Sequence, residues 1–439
     1  MIKHVYTNLL IAFVLFLSNT NLQSQPAPSE VTPNIILVFT DDLGYGDIGI
    51  NGATLISTPN IDRMASEGAQ LTHAFSSANI CTPSRAGLLT GRYPIRSGLA
   101  DGVIHPHNKH GLTEDEVTLP EILKEQDYKT AIIGKWHLGH TESHLPDKHG
   151  FDYYYGLHYS NDMKPLALYR NKEIIEEPVD QTTLTERYTQ EAVQFIEKNQ
   201  DEPFFIYMAH SMPHTPLFVS ENFERQSNAG LYGDVIQTLD WSMGEIFNTL
   251  EKLDLDEETL VIFTSDNGPW HEGSAGNLRE RKGGASWEGG FRVPLLARWP
   301  GHIPEGVTSN AITMNFDLYP TLAKLAGGTV PKDRAIDGKD IWSLFQGDKK
   351  SPHEYLYFFN NEEITAVRSQ RWKFVIQSYY RTMLKSYDGE SHYYHPGLLF
   401  DLELDPAERF SFTRDNPEIV DQMIEWLEVG NRIFETSSK

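Results

Sequence analysis

Four short apolar runs recur along the chain, and each ends in polar residues able to do chemistry. Ile35 to Thr40 runs into Asp41-Asp42, Ala131 to Gly134 into Lys135-Trp136-His137, Phe204 to Ala209 into His210 and His214, and Leu260 to Ser265 into Asp266-Asn267. Unbroken apolar runs of this length predict strands buried on both faces, the habit of a largely parallel sheet. Helical patterns alternate with them. Thr58-Pro59 opens a helix that Gly68 stops, Thr118-Leu119-Pro120-Glu121 has capping-box spacing, and Leu184 to Lys198, Asp234 to Lys252 and Asp317 to Ala326 are amphipathic. The prediction is an α/β fold: a large, mostly parallel (mixed) sheet sandwiched by helices. Ligands in such folds bind beyond the carboxyl ends of the strands, so the four polar run-ends point to one shared site.

After about residue 350 the pattern changes. Tyr355 to Phe359, Thr365 to Arg368, Lys373 to Gln377 and Leu398 to Leu402 read as short strands, and Glu418 to Phe434 as a helix. The expected organisation is a catalytic α/β domain over 26–350 and a C-terminal subdomain over 351–439, a small antiparallel sheet with one helix. Residues 1–25 read as a signal peptide: Lys3 and His4 precede an apolar run, Leu9 to Leu17, too short to span a bilayer. No cysteine follows that run, so a lipid anchor is not expected, and no later segment is long and apolar enough for a membrane span. The expected location is secreted or periplasmic.

Charge and cysteine usage narrow the picture further. With 37 basic and 61 acidic residues the formal charge is −24, which argues against nucleic acid and anionic membranes as partners. A small anionic substrate stays compatible, because a few local cations override the global field. The single cysteine, Cys81, excludes an internal disulfide. It opens Cys81-Thr82-Pro83-Ser84-Arg85, continuing to Leu89-Thr90-Gly91, where Thr82 suits an N-cap, Pro83 a first helical position and Gly91 a stop. This places the thiol at the mouth of a short helix with Arg85 one turn further in, a setting that predicts an activated thiol beside a guanidinium. A capped helix with a merely buried cysteine is the plain alternative.

Asp41, Asp42, Asp266 and Asn267 offer only oxygen ligands, which suit Ca²⁺ or Mg²⁺; turn formation at strand ends is the competing reading. His210 and His214 have the spacing of a zinc pair, but Pro213 between them disfavours the helix that would face them together. Arg85, Lys135 and Lys282 are candidates to surround a tetrahedral anion, and Gly283-Gly284 and Gly289-Gly290 mark a flexible loop around Lys282. Tyr153-Tyr154-Tyr155, Tyr159, Trp270 and Trp287 are candidate sugar-stacking aromatics, with core packing as the alternative.

Taken in order, these stretches resemble the type I, formylglycine-dependent sulfatases of the alkaline phosphatase superfamily. The likeness rests on Cys81-Thr82-Pro83-Ser84-Arg85, Asp41-Asp42-Leu43-Gly44, Gly134-Lys135-Trp136-His137-Leu138-Gly139, Pro213-His214-Thr215-Pro216, Asp266-Asn267-Gly268, Lys282-Gly283 through Arg292-Val293-Pro294, and Asp317-Leu318-Tyr319-Pro320-Thr321. The motif order is similar to that of arylsulfatase A and the N-acetylgalactosamine sulfatases. The resemblance implies hydrolysis of sulfate esters, with Cys81 oxidised to formylglycine by a formylglycine-generating enzyme or an anaerobic maturase. It implies Ca²⁺ at Asp41, Asp42, Asp266, Asn267 and the modified Cys81. The hydrated aldehyde would attack sulfur to give a covalent sulfo-enzyme. His137 would assist its breakdown, with His214 and Lys282 near the leaving oxygen. Lys135, His214, Lys282 and Ser160 are the implied substrate contacts, and sulfated saccharides the expected partners. A phosphonate or phosphodiester hydrolase of the same superfamily is the alternative activity, and a noncatalytic carbohydrate-binding protein a more distant one.

Overall fold

The computed structural model describes residues 32–284, 286–380 and 391–435; the expected signal peptide lies outside them. Ten strands form one sheet. Across it run Val307–Ser309, Ala69–Leu71, Leu295–Arg298, Thr259–Ser265, Asn34–Thr40, Phe204–Ala209, Lys129–Lys135, Tyr153–Leu157, Leu168–Arg170 and Glu173–Glu176. The five central strands are mutually parallel, and antiparallel pairings enter on both flanks. The four predicted runs are four of these five. The fifth, Tyr153–Leu157, is the stretch whose tyrosines were candidates for the rim: Tyr154 and Tyr155 are instead buried in the sheet.

Register sets the site. Thr40 pairs with Ser265, Phe39 with Ala209, and Gly134 with Ala209. The carboxyl ends of four strands are therefore level, and Asp41, Asp266, His210 and Lys135 leave the sheet side by side. Gly134 is required there. Its φ of 120° is a backbone few side chains tolerate, and a Cβ would stand 1.8 Å from the Ala209 carbonyl oxygen.

Alternation along Asn34–Thr40 feeds two cores. Ile35, Leu37 and Phe39 pack with Ala86, Leu88 and Leu89 of the helix Cys81–Thr90 and with Leu318 and Leu322 of the helix Leu318–Leu325. Ile36 and Val38 face the helices Pro59–Ser66, Leu184–Lys198 and Gly230–Lys252. Burying both faces is what the unbroken apolar runs require. The helix Leu119–Lys124 begins with the expected capping box, Thr118 and Glu121 serving each other's ends.

Tyr355–Asn360, Glu363–Ser369, Trp372–Tyr380 and Ser391–Asp401 form a four-stranded antiparallel sheet, with the helix Pro417–Glu435 against it. Phe358, Phe374 and Leu399 of this sheet share a core with Phe75, Trp287 and Phe291. Four buried charges cross the same contact. Arg368 Nε bonds Glu288 Oε1 at 3.1 Å, and Lys373 Nζ lies 3.4 Å from Glu288 Oε1 and 2.9 Å from Glu408 Oε1. Glu288 sits six residues beyond Lys282, so the small sheet fixes one end of the Lys282 loop.

Candidate active site

The helix Cys81–Thr90 starts two residues earlier than its sequence suggests. Ile80 is the cap and Cys81 the first helical residue. Thr82 does not cap, because its hydroxyl is used elsewhere: it donates to the His137 carbonyl at 2.9 Å and accepts from Ile104 N at 3.1 Å. The helix mouth is thereby tied to the loop after the Lys129–Lys135 strand.

Around Cys81 the charges interlock. Cys81 Sγ donates to Asp41 Oδ1 at 3.4 Å and accepts from Lys282 Nζ at 3.4 Å. Lys135 Nζ donates to Asp41 Oδ2 at 2.7 Å and Ser160 Oγ at 3.1 Å. Arg85 reaches Asp266 Oδ2 at 2.9 Å, Asp41 Oδ1 at 3.4 Å and the Lys135 carbonyl at 3.0 Å. Lys282 Nζ is 2.7 Å from Asp42. Asp42 N donates to Asp266 Oδ1 at 3.0 Å, and Asn267 Nδ2 to Asp42 Oδ1 at 2.8 Å. Asp41, Asp42, Arg85, Lys135, Asp266 and Asn267 are all buried.

The histidines take defined roles from their partners. His214 Nδ1 faces two acceptors, Asn161 Oδ1 at 3.0 Å and the Thr215 carbonyl at 2.6 Å, so it carries the hydrogen. That leaves Nε2 toward Ser160 Oγ at 3.3 Å and Asp42 Oδ2 at 3.7 Å. His137 Nε2 bonds the Ile104 carbonyl at 2.9 Å, which leaves its buried Nδ1 without a partner among the described residues. Asp42 at φ 68° and His137 at φ 59° are both left-handed, a conformation kept where the surroundings over-determine the backbone.

Electrostatics correct one expectation. The Cys81 thiol is not activated: burial pushes its pKa far up, and Lys135 and Lys282 do not offset it. Burial also raises Asp266, with Asp41 adding to it, to about 7. For Asp41 burial is outweighed by Lys135, His214 and Arg85, which hold it well below the usual carboxylate range. His214 and His137 are lowered, by burial first and then by neighbouring cations. For Lys282 burial is outweighed by Asp42 and Cys81, so it stays protonated.

The donor set fits a hard cation. Three carboxylates crowd together, and the Asn267 side-chain oxygen is buried with no hydrogen-bond partner among the described residues. Ligand atoms of Asp41, Cys81 and Asp266 lie within 4.8 Å of one another, as do those of Asp42, Cys81 and His214. Among Asp41, Asp42, Asp266, Asn267 and Cys81, only sulfur is out of place, since Ca²⁺ prefers oxygen.

Cys81, His137, Ser160, His214 and Lys282 line a cavity of about 360 Å³, together with Trp270, His105 and Asp162. The eleven candidate metal, nucleophile, anion and substrate residues (Asp41, Asp42, Cys81, Arg85, Lys135, His137, Ser160, His214, Asp266, Asn267 and Lys282) thus lie in this network or on its cavity wall. Trp270 reaches the cavity, whereas Trp287 is fully buried under the Arg279 guanidinium, 3.6 Å from its ring. His210 is buried beside the Tyr188 ring, has no hydrogen-bond partner among the described residues, and makes no metal-ligand cluster with His214 among them. Sequence reasoning missed Asn161, which orients His214, and Ile104, whose carbonyl orients His137; a backbone carbonyl leaves no mark in sequence.

Fold and site together fit an α/β hydrolase of anionic esters. The family model for sulfatases matches residues 33–328, and that for the C-terminal part of N-sulphoglucosamine sulphohydrolase matches 285–430. Arylsulfatase A of Bos taurus is 38% identical over 90% of this chain and 86% of its own, and steryl-sulfatase of Homo sapiens 36% over 87% and 84%. Among solved structures, the PsFucS1 sulfatase from Pseudoalteromonas sp. superposes with TM-score 0.84 at 29% identity, covering 93% of this chain and 91% of that one. Ps i-CgsB in complex with k-i-k-neocarrahexaose gives TM-score 0.79 at 31% identity, covering 90% and 92%. The chain belongs to the sulfatase family and is a sulfuric ester hydrolase.

Proposed function

We propose that this sulfatase removes sulfate from sulfated carbohydrates outside the cytoplasm, using formylglycine made from Cys81 and Ca²⁺ held by Asp41, Asp42, Asp266, Asn267 and residue 81. The observation that carries the reading is the mismatch at the centre of the site. A neutral, buried thiol is a poor nucleophile and a poor calcium ligand, whereas the carboxylates and cations around it suit an oxygen at that position. When present, the cation would offset the crowded carboxylates, and the aldehyde hydrate would supply one oxygen to attack sulfur and a second hydroxyl to expel sulfate.

The chain's own residues do the rest. Arg85, Lys135 and Lys282 present fixed positive charge to the non-bridging oxygens, where each well-placed donor lowers the barrier by about 3 kcal/mol. Lys282 holds a proton for the departing alcohol, and His214, oriented by Asn161, stands beside it. His137 keeps its Nδ1 lone pair free to take the proton of the second hydroxyl, because Ile104 occupies Nε2. Ser160 fixes the Lys135 ammonium.

Carbohydrate as substrate is supported by Trp270 on the cavity wall and by the signal-like N-terminus, together with the sugar-bound relative. The maturing partner is a formylglycine-generating or anaerobic maturase enzyme. Mass spectrometry of the peptide carrying Cys81, from cells with such an enzyme, is expected to show the aldehyde, and Cys81→Ala to abolish turnover of 4-nitrophenyl sulfate. An intact thiol in fully active enzyme would sink the proposal.

A further inference from the structure

The ionisable residues on the cavity wall divide into two groups. Asp42, Cys81, His137, His214 and Lys282 belong to the reaction centre, which leaves His105 and Asp162 for the rest of the substrate. Neither is a fixed cation. Asp162 is exposed, and no ion pair or hydrogen bond engages its carboxylate among the described residues.

Its position is nonetheless fixed. Asp162 lies in a turn closed by Met163 N donating to the Ser160 carbonyl at 3.1 Å. Ser160 is held by Lys135 and sits beside His214. Asn161 Nδ2 donates to the Pro216 carbonyl at 2.9 Å, its Oδ1 accepts from His214, and its own carbonyl accepts from Gln181 Nε2 at 3.1 Å. Asp162 is therefore one residue from Asn161 and two from Ser160, both anchored in the candidate catalytic machinery. His105 stands in the same relation to it, directly after Ile104, whose carbonyl holds His137. Its backbone N donates to Asn108 Oδ1 at 2.7 Å, and its ring stacks on His107 at 5.5 Å. Trp270 follows the Asp266-Asn267 pair by three residues. Its carbonyl accepts from Arg281 Nη1 at 3.4 Å, and the neighbouring Pro269 carbonyl accepts from Lys282 N at 3.0 Å. The walls are thus pre-organised by the chemistry they surround.

We propose that Asp162 and Trp270 select the alcohol half of the substrate, and that this half is a neutral, hydroxyl-rich ring bearing the single reacting sulfate. The inference rests on the sulfate-ester reading above and deepens it. A carboxylate accepts hydrogen bonds from hydroxyls and repels a second sulfate or a uronate. An indole face packs on the C–H face of a sugar ring. No described cation on the wall is left over to pair a second anionic group, since Lys282 is committed to Asp42 and the reacting centre. A steroid or plain aryl alcohol would leave Asp162 facing apolar surface with no hydrogen-bond donor.

The test compares kcat/KM on 4-nitrophenyl sulfate, on monosulfated galactose, fucose and N-acetylgalactosamine, and on their disulfated counterparts, for wild type and Asp162→Asn. Wild type is expected to favour at least one monosulfated sugar over its disulfated partner. Asp162→Asn is expected to lower activity on that sugar, relative to 4-nitrophenyl sulfate, by roughly ten- to a hundredfold, the value of a hydrogen bond to a charged group. It should also narrow the gap to the disulfated sugar. Trp270→Ala should raise KM for the sugar more than it lowers kcat. Wild-type preference for the disulfated sugars or for 4-nitrophenyl sulfate over every monosulfated sugar, or an Asp162→Asn profile parallel to wild type, would overturn the inference while leaving the sulfatase chemistry standing. Absence of turnover on every sulfate, 4-nitrophenyl sulfate included, would instead overturn the reading beneath it.

Discussion

At the scale of single residues, the two histidines of the site differ in what their partners leave free. His137 gives its Nε2 to a backbone carbonyl, which on the proposed reading keeps Nδ1, unpartnered among the described residues, for proton transfer. Its replacement by alanine should leave the first release of alcohol nearly intact and slow the release of sulfate. We expect a stoichiometric burst of 4-nitrophenol followed by a steady rate lower by roughly 10²–10⁴. Rapid-mix absorbance would show it, and a burst-free, uniformly slow time course would contradict the assignment. His210 gives a different test. Burial alone lowers its pKa to about 3, and it has no hydrogen-bond partner among the described residues. The unfolded chain takes up a proton near pH 6.5 that the folded chain refuses. The contribution of His210 to stability is therefore fully present above that pH and is lost as pH falls toward 3. His210→Leu should remove up to about 1.4 kcal/mol per pH unit from the acid slope of the unfolding free energy, read by urea titration from pH 7 to 4.

Elements place these residues, and here the sequence was informative unevenly. The central strands could be read because burial on both faces leaves an unbroken apolar run, and the helix Leu184–Lys198 was delimited to the residue because its apolar stripe and polar ends agree. The flanking strands Ala69–Leu71, Val307–Ser309 and Leu168–Arg170 are three residues long and carry no periodicity to detect. The Cys81 helix was found but miscapped, because Thr82 serves a carbonyl 55 residues away, which no local pattern reveals. The quartet Glu288, Arg368, Lys373 and Glu408 was invisible for the same reason. Its members come from four separate segments and are buried together. Within it, burial is outweighed at Glu288 by Arg368 and Lys373, whereas burial raises Glu408 to about 7. Lys373→Met should strand Glu408 and weaken Glu288, costing about 3–5 kcal/mol. Chemical denaturation would measure the loss, and a change below about 1 kcal/mol would show that the quartet contributes little beyond packing.

For the whole molecule, the proposed metal site, built on buried carboxylates in an acidic chain, should make folding a function of bound cation. Asp41, Asp42 and Asp266 meet in one buried site, in a chain of formal charge −24. An ion that binds the folded form alone stabilises it by about 2.7 kcal/mol at a hundred times its dissociation constant. Chelation with EDTA should therefore lower the melting temperature by several degrees, and Ca²⁺ should restore it more fully than Mg²⁺, whose stricter geometry suits this irregular set less well. Scanning calorimetry on maturated protein tests this without any assay of turnover, and a melting curve indifferent to both ions would remove the metal from the site.

Residue 81 is only 2% exposed, with Arg85 wholly enclosed beneath it. On the reading proposed above, an oxidising enzyme that must grip the Cys-x-Pro-Ser-Arg segment cannot enter the finished fold. Oxidation therefore belongs to the nascent chain, before the strand ends close over the thiol. Copies that fold ahead of their oxidant become permanent blanks. The active fraction of any preparation then records a race between two events during biogenesis, and nothing added to the purified protein can rerun it.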